Sequence, residues 1–406
     1  MTRTAASQPL STASRRRVLI SGASVAGPTL AFWLHRYGFR VTVVEKASAV
    51  RGGGYPVDIR GTAHEVVRRM GLLPRLRAAH IDQRRLTFLD ANGGQVASVH
   101  PHTLTGGVAG QDLEVRRGDL ARALYDAVRD DVEFLFHDSI DTLDPSDHGV
   151  DVAFRGGDRR TFDLVLGADG LHSHTRARVF GPEERFHRYL GYRFAGFTLP
   201  NTFGLAHETV LWNDPGRAAA LYAVGEGDAV HALLTFAHPR PPLGALRDAG
   251  AQRDLVTEVF ADAGWRVPDL LAALREADDL FLDGASQIRV PHWSSGRVAL
   301  VGDAAYAPSF LTGQGSSLAL VGAYMLAAAL ADRGHAAGFA AYERDTRPFV
   351  TLNQDQVGEG DATLFPTTAE ALERRDAMLR TLGATPPTRG RPAHSALTLP
   401  DHTPTG

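Results

Sequence analysis

A chain of 406 residues, 44% hydrophobic and 22% charged, has room for one large core and a smaller partner domain. Its formal charge of -3 provides no bulk attraction to nucleic acid or to an anionic membrane surface. The absence of cysteine excludes disulfides, thiolate metal sites and a cysteine nucleophile, and it fits a cytoplasmic location.

Residues 1–14 are rich in Ser, Thr and Ala without an apolar period, so a disordered lead is expected. Ser14, Arg15, Arg16 and Arg17 ahead of Val18 faintly resemble a twin-arginine export signal. The apolar stretch that follows is broken by Gly22, Gly27 and Pro28, which describes a strand, loop and helix instead. Residues 18–21 and 41–44 are β-branched runs flanking a helix over about 28–37 that Gly38 closes, a βαβ unit with parallel strands. Leu120, Leu124 and Val128 form one stripe of a helix over 119–129, and residues 150–154 and 162–166 read as strands.

From residue 186 to 239 the pattern changes to aromatic-rich runs at 192–199, 209–212, 219–224 and 230–236, separated by Gly, Pro and Asp turns. These predict an antiparallel sheet in a second domain. Residues 298–301 return to a buried parallel strand, and the apolar run 315–331 is short for a membrane span and rich in Ala and Gly, so it reads as a helix buried in protein. Beyond Arg380 the Pro, Thr and Gly content predicts a loose tail, and no repeat of 20–50 residues is present. The expected fold is α/β, a Rossmann-type nucleotide-binding domain interleaved with an α+β substrate domain on an antiparallel sheet. The nucleotide domain is expected in pieces 15–75, 100–185 and 286–334, the substrate domain in 76–99 and 186–285, a helical segment at 335–385 and the loose tail at 386–406.

Three stations carry nucleotide chemistry. Gly22, Ser24, Val25, Ala26 and Gly27 lie between a strand and a helix, where backbone amides at the helix N-terminus can bind a pyrophosphate. Glu45 ends the second strand, followed by Lys46, and a carboxylate there accepts from ribose hydroxyls and repels the 2′-phosphate of NADP. The second station is Gly167, Ala168, Asp169 and Gly170, with Ser173 and Arg176. The third runs from Gly296 through Gly302, Asp303 and Pro308 to Gly313, Gln314, Gly315 and Ser316.

In this order and spacing the three stations resemble the single-component FAD-dependent aromatic hydroxylases, the family typified by para-hydroxybenzoate hydroxylase and the tetracycline-inactivating flavin monooxygenases. The resemblance covers about residues 15–332 and is weakest over 186–285, where substrate is chosen. It implies bound FAD, NADPH or NADH as co-substrate, and a small-molecule substrate and O2 as partners; nothing in the sequence specifies an oligomer. It further implies that Asp303 binds the ribitol of FAD, that Arg117 contacts FAD, and that Asp169 and Arg176 lie where FAD and the nicotinamide nucleotide pass. Arg51, Gly53 and Gly54 match the family's mobile segment beside the isoalloxazine. The sequence departs from the family pattern at Tyr306, where many members have His, at Ser309 and Phe310, where Pro-Pro is common, and at Gly322, a frequent Asp.

Oxygen insertion by flavin needs no protein nucleophile or metal, because reduced flavin itself adds O2 at C4a to give a hydroperoxide. The chain has no nucleophile-elbow or zinc-helix motif, and no catalytic side chain or metal ligand set is assigned; the pairs His100/His102 and His172/His174 lack further ligands. The expected activity is hydroxylation of a small aromatic or polyketide-like molecule. The alternative is a flavoenzyme of the same architecture catalysing Baeyer-Villiger oxidation, epoxidation or dehydrogenation. Tyr192, Phe194, Trp212, Tyr222, His231, Phe236 and Phe310 are the candidate substrate contacts, against the plainer reading of strand aromatics as packing.

Overall fold

The computed structural model describes residues 16–50, 52, 54–108, 110–241, 248–382 and 389–401. Its parallel sheet is assembled from distant parts of the chain, in the order Ser294–Ser295, Val298–Leu300, Leu164–Gly167, Arg17–Ser21, Arg40–Glu45 and Glu133–Phe136. Only the edge pair Ser294–Ser295 and Val298–Leu300 is antiparallel. Alternation along the first strand sends Val18 and Ile20 to one face and Leu19 to the other, so both faces are apolar and both must be covered. Helices Ala26–Arg36 and Gly315–Ala331 cover the first face, and the three-stranded sheet Ile140–Pro145, Val150–Phe154 and Arg159–Phe162 covers the second.

Helix Gly315–Ala331 is buried along 14 of its 17 residues. It lies between Ala26–Arg36 and His335–Gln354, which accounts for a helix that is apolar all round. Among the described residues no helix is long and apolar enough to cross a membrane.

The second sheet has seven strands, in the order Phe281–Ile288, His187–Pro200, Ala229–Ala237, Arg217–Ala223, Glu208–Asp214, Arg85–Leu89 and Gln95–Val99. Helices Ala249–Val259 and Val267–Glu276 pack on one face, where Val256, Phe260, Leu270 and Leu274 meet Trp212, Leu221, Leu234 and Phe236. Its other face turns toward the nucleotide domain, with Leu211, Ala218 and Ala285 packed near Leu311 and Phe365. A two-stranded ribbon, Pro56–Ile59 with Leu113–Arg116, completes the β structure.

The loose tail expected from composition is corrected by residues 389–401, which lie along the nucleotide domain. Thr62 Oγ1 donates to the Leu397 carbonyl (2.8 Å), Tyr324 and Arg69 donate to the Pro400 carbonyl (2.6 and 2.8 Å), and Leu399 is buried. Proline-rich backbone keeps its carbonyl acceptors, and donors some 330 residues away in sequence satisfy them. The expected lead at residues 1–14 lies outside the described residues.

Candidate flavin site and its sheet-facing wall

The first strand ends at Ser21 and the chain turns at Gly22, whose φ of +105° favours glycine. A Cβ there would come within 2.5 Å of the Ala168 carbonyl oxygen, so the first and second stations touch at this point. Gly27 is required for a second contact, since its Cβ would fall 1.9 Å from the Gly22 oxygen where helix Ala26–Arg36 packs on the loop. Glu45 projects from the end of the second strand and accepts from the Ala23 and Ala47 amides (2.8 and 2.9 Å). These bonds fix a carboxylate beside the loop and leave acceptor capacity for ribose hydroxyls. Val25 and Ala26 are buried, and Lys46 is exposed.

Arg117 Nη2 donates to Ser24 Oγ (2.8 Å), which joins the start of helix Arg117–Asp126 to the first loop. Its Cβ lies 3.8 Å from the Cβ position of Gly54. Arg51 and Gly53, expected in the same segment, lie outside the described residues.

The third station closes on the first at Gly302, where a Cβ would sit 3.1 Å from that of Ala26. Next to it the Asp303 carboxyl forms no hydrogen bond among the described residues, and the nearby Arg117 is its compensating charge. Burial pushes this carboxyl above the usual range and the guanidinium opposes that shift. Gly315, the first residue of the buried helix, has its Cβ position 3.9 Å from Asp303 Oδ1, so open helix N–H groups and the carboxyl border one space. Gln314 is fully buried, and neither amide atom has a partner among the described residues. Pro308 is buried with its carbonyl accepting from Gln287 Nε2 (3.2 Å), and Gly313 and Ser316 are partly exposed. An unpaired carboxyl, an unpaired buried amide and glycine-lined backbone in one place are the features a polyhydroxylated, amide-bearing group such as FAD would satisfy.

Asp169 and Arg176 are engaged within the protein. Asp169 accepts from Ser173 Oγ (2.5 Å) and from the Thr175 amide and hydroxyl (both 2.9 Å), which caps helix His174–Val179. Arg176, wholly buried, donates to the Ala304 and Leu171 carbonyls (3.0 and 2.7 Å) and pairs with Glu183 (2.8 Å). The second station therefore braces the third.

His172 in the same loop bridges Glu183 (2.8 Å) and Asp283 of the substrate sheet (3.5 Å). Hydrogen bonds to Asp283 and Glu183 raise its pKa to about 10. Since the folded value lies above the unfolded one near 6.5, the stabilisation is complete below about pH 6.5 and is lost as pH rises toward 10. His172→Gln is expected to flatten the alkaline fall in melting temperature, measured by thermal unfolding from about pH 6 to pH 10.

The departures at Tyr306 and Gly322 explain each other. A Cβ on Gly322 would lie 1.8 Å from the Tyr306 hydroxyl, so the tyrosine occupies the space that a side chain at 322 would need. Tyr306 is held there by Tyr342 Oη (2.9 Å) and by the Trp293 ring 4.5 Å away.

Alternation along the strands sorts the candidate substrate contacts. Phe194, Tyr222 and His231 face the nucleotide domain, while Trp212 and Phe236 point the other way into the core beneath helices Ala249–Val259 and Val267–Glu276. Trp212 Nε1 donates to the Ala91 carbonyl (3.1 Å), so these two serve packing. Tyr192 is buried and its hydroxyl reaches the Phe365 carbonyl (3.2 Å). Phe310 meets Phe194 at 4.5 Å, and Phe281 and Tyr55, which the sequence reading missed, extend this aromatic run to the segment beside Arg117. Both are exposed, 37% for Phe281 and 46% for Tyr55. The ribbon carboxyls Asp58 and Glu114 were missed as well, because only strand register pairs them. Among the described residues no group of three or more His, Asp or Glu is placed to hold a metal ion.

Fold and site together define an FAD-binding α/β flavoprotein with an interleaved substrate sheet. Residues 15–357 match the sequence model of the FAD binding domain family, and the chain belongs to that family. A flavin-dependent monooxygenase from an unknown prokaryotic organism is 37% identical over 366 residues, covering 89% of this chain and 94% of the relative. An uncharacterized protein of Mycobacterium tuberculosis is 41% identical over 362 residues, covering 88% and 97%. The crystal structure of the tetracycline destructase Tet(55) superposes with a TM-score of 0.82 at 34% identity, covering 96% of this chain and 99% of that one. The chain is thus a member of the flavin-dependent monooxygenases.

Proposed function

We propose that this protein hydroxylates an oxygenated ring compound, aromatic or polyketide-like, with NADPH or NADH as reductant. The observation that carries the reading is the wall where the sheet meets the third station: an aromatic half formed by Phe194 and Phe281 of the sheet with Phe310 of the station, beside a polar half formed by His231 and Tyr222. Such a wall suits a flat molecule with one apolar face and one oxygen-bearing edge. The likeness to a tetracycline destructase over nearly the whole chain supports the same class.

Bound FAD supplies electron transfer and the activation of O2. The protein's own contribution is to hold and to shield. Glu45 and the Gly22 loop would take the ribose and pyrophosphate, Arg117 and Asp303 the chain that joins them to the flavin, and the N-terminus of Gly315–Ala331 a developing negative charge. Phe194, Phe281, Phe310 and Tyr55 would keep water from the reacting centre.

The purified protein is expected to be yellow, to release FAD on heating, and to oxidise NAD(P)H faster when tetracycline or a related polyphenol is added. Mass spectrometry under labelled O2 should show one labelled oxygen atom in the product. Product formed without label would remove the oxygenase reading and favour dehydrogenation.

A further inference from the structure

The ribbon of Pro56–Ile59 and Leu113–Arg116 lies between the flavin loop and the seven-stranded sheet, and its register sets Asp58 directly opposite Glu114. On the flavin side, the Cβ position of Gly313 is 3.2 Å from Asp58 Oδ2 and 3.3 Å from Arg60 Nη1. Leu113 and Val115 point into the nucleotide-domain core, so Glu114 and Arg116 turn the other way. There they meet a polar row of successive cross-strand partners, Thr198, His231, Tyr222 and Thr209. Arg116 acts on His231, and Glu114 on Tyr222.

Two half-buried carboxyls share one cation here. Arg60 pairs with Asp58 at 2.6 Å and donates to the Thr105 carbonyl at 3.2 Å, so its charge is directed to Asp58. Asp112 acts on Asp58 and on the neighbouring His102, and His80 reaches the backbone of Glu114 rather than its carboxyl. Glu114 therefore has a like charge opposite and, among the described residues, no cation paired with it, an arrangement that favours the neutral acid. Burial, and then Asp58, push its carboxyl up to about 8. The buried Tyr222 hydroxyl sits beside Glu114 and Gln83 without the geometry of a hydrogen bond to either. Gln83 Oε1 likewise has no partner among the described residues, while Nε2 donates to the Ala223 carbonyl (2.6 Å).

We propose that the Glu114 carboxyl and the Tyr222 hydroxyl form a neutral hydrogen-bonding pair that, with Gln83 Oε1, holds a phenol or enol hydroxyl of the substrate. The inference rests on the substrate class proposed above and deepens it. A ligand hydroxyl both donates and accepts, which matches two O–H donors set beside the Gln83 acceptor. A carboxylate or phosphate would find the Arg60 guanidinium already paired with Asp58. An ammonium group would draw the proton from Glu114, and so would bind with the opposite pH dependence.

The test is binding of tetracycline and of resorcinol to the FAD holoenzyme, followed through the flavin absorbance from about pH 6 to pH 10. For wild type, affinity is expected to fall about ten-fold across the alkaline range as Glu114 ionises and one donor is lost. Glu114→Gln should bind with no such fall, and Tyr222→Phe about five-fold to ten-fold more weakly throughout. Thermal unfolding of the holoenzyme gives a readout free of substrate. The folded carboxyl titrates above its unfolded value, so wild type should lose stability as pH rises from about 4.5 to about 8 and Glu114→Gln should lose less. Affinity that rises with pH and vanishes in Glu114→Gln would overturn the proposal in favour of a bound cation. Variants indistinguishable from wild type, or failure of both probes to bind wild type, would overturn it outright. In the last case the monooxygenase reading is judged separately by NAD(P)H turnover with other substrates.

Discussion

Asp303→Ala is expected to lower FAD affinity about ten-fold to a hundred-fold, from loss of a charge-assisted acceptor worth about 1.5–3 kcal/mol. The carboxyl is half-buried, forms no hydrogen bond among the described residues, and has Arg117 as its compensating charge, so its acceptor capacity is open to a ribitol hydroxyl. Asp303→Asn keeps an acceptor and should lose less. Burial raises the pKa of Asp303 above that of an exposed aspartate, so FAD affinity should begin to weaken at a higher pH on acidification than an ordinary carboxylate would require. Flavin release measured by fluorescence on dilution, with the exposed Arg36→Ala as control, decides the point. Equal release from Asp303→Ala and wild type would remove the third station from flavin binding.

Gly322→Ala is expected to destabilise the protein by about 1–3 kcal/mol, the usual cost of forcing volume into a packed core. The new methyl would fall 1.8 Å from the Tyr306 hydroxyl and 3.0 Å from its ring carbon. Tyr306 cannot swing aside cheaply: it is 1% exposed, hydrogen-bonded to Tyr342 and packed on Trp293. Combining Gly322→Ala with Tyr306→Phe removes the hydroxyl and should recover part of the loss, while Tyr342 keeps its bond to the Leu300 carbonyl. A double-mutant cycle read by thermal unfolding measures the coupling. Additive effects of the two substitutions would show that the hydroxyl is not what excludes a side chain at 322.

The candidate flavin side of this molecule is proposed from the chain because its signals are local. Gly22, Glu45, Asp303 and Gly315 each sit at a strand or helix end, where backbone geometry, glycine freedom and open helix amides depend on a few neighbouring residues. The aromatic runs between 192 and 236 likewise announced a sheet, since β-branched and aromatic residues suit a pleated, half-buried surface. They did not announce which side of it would face the nucleotide domain. Trp212 and Tyr222 look alike in the sequence, and only the covering of one face by Ala249–Val259 and Val267–Glu276 sends the first into a core and the second toward the nucleotide domain.

What tertiary structure alone decided are the contacts between residues far apart in the chain. Glu114 is an unremarkable charge in a short strand until antiparallel register sets Asp58 against it and the sheet brings Tyr222 over it. Arg176 reads as a residue of a nucleotide motif, near where FAD and the nicotinamide nucleotide pass, and the fold buries it wholly and bonds it to Ala304, 128 residues on. The segment 389–401 reads as loose until donors at Thr62, Arg69 and Tyr324 supply its partners. Motifs that bind through backbone geometry are written in consecutive residues, whereas burial, charge compensation and hydrogen-bond partnership depend on whichever distant residues the fold brings alongside.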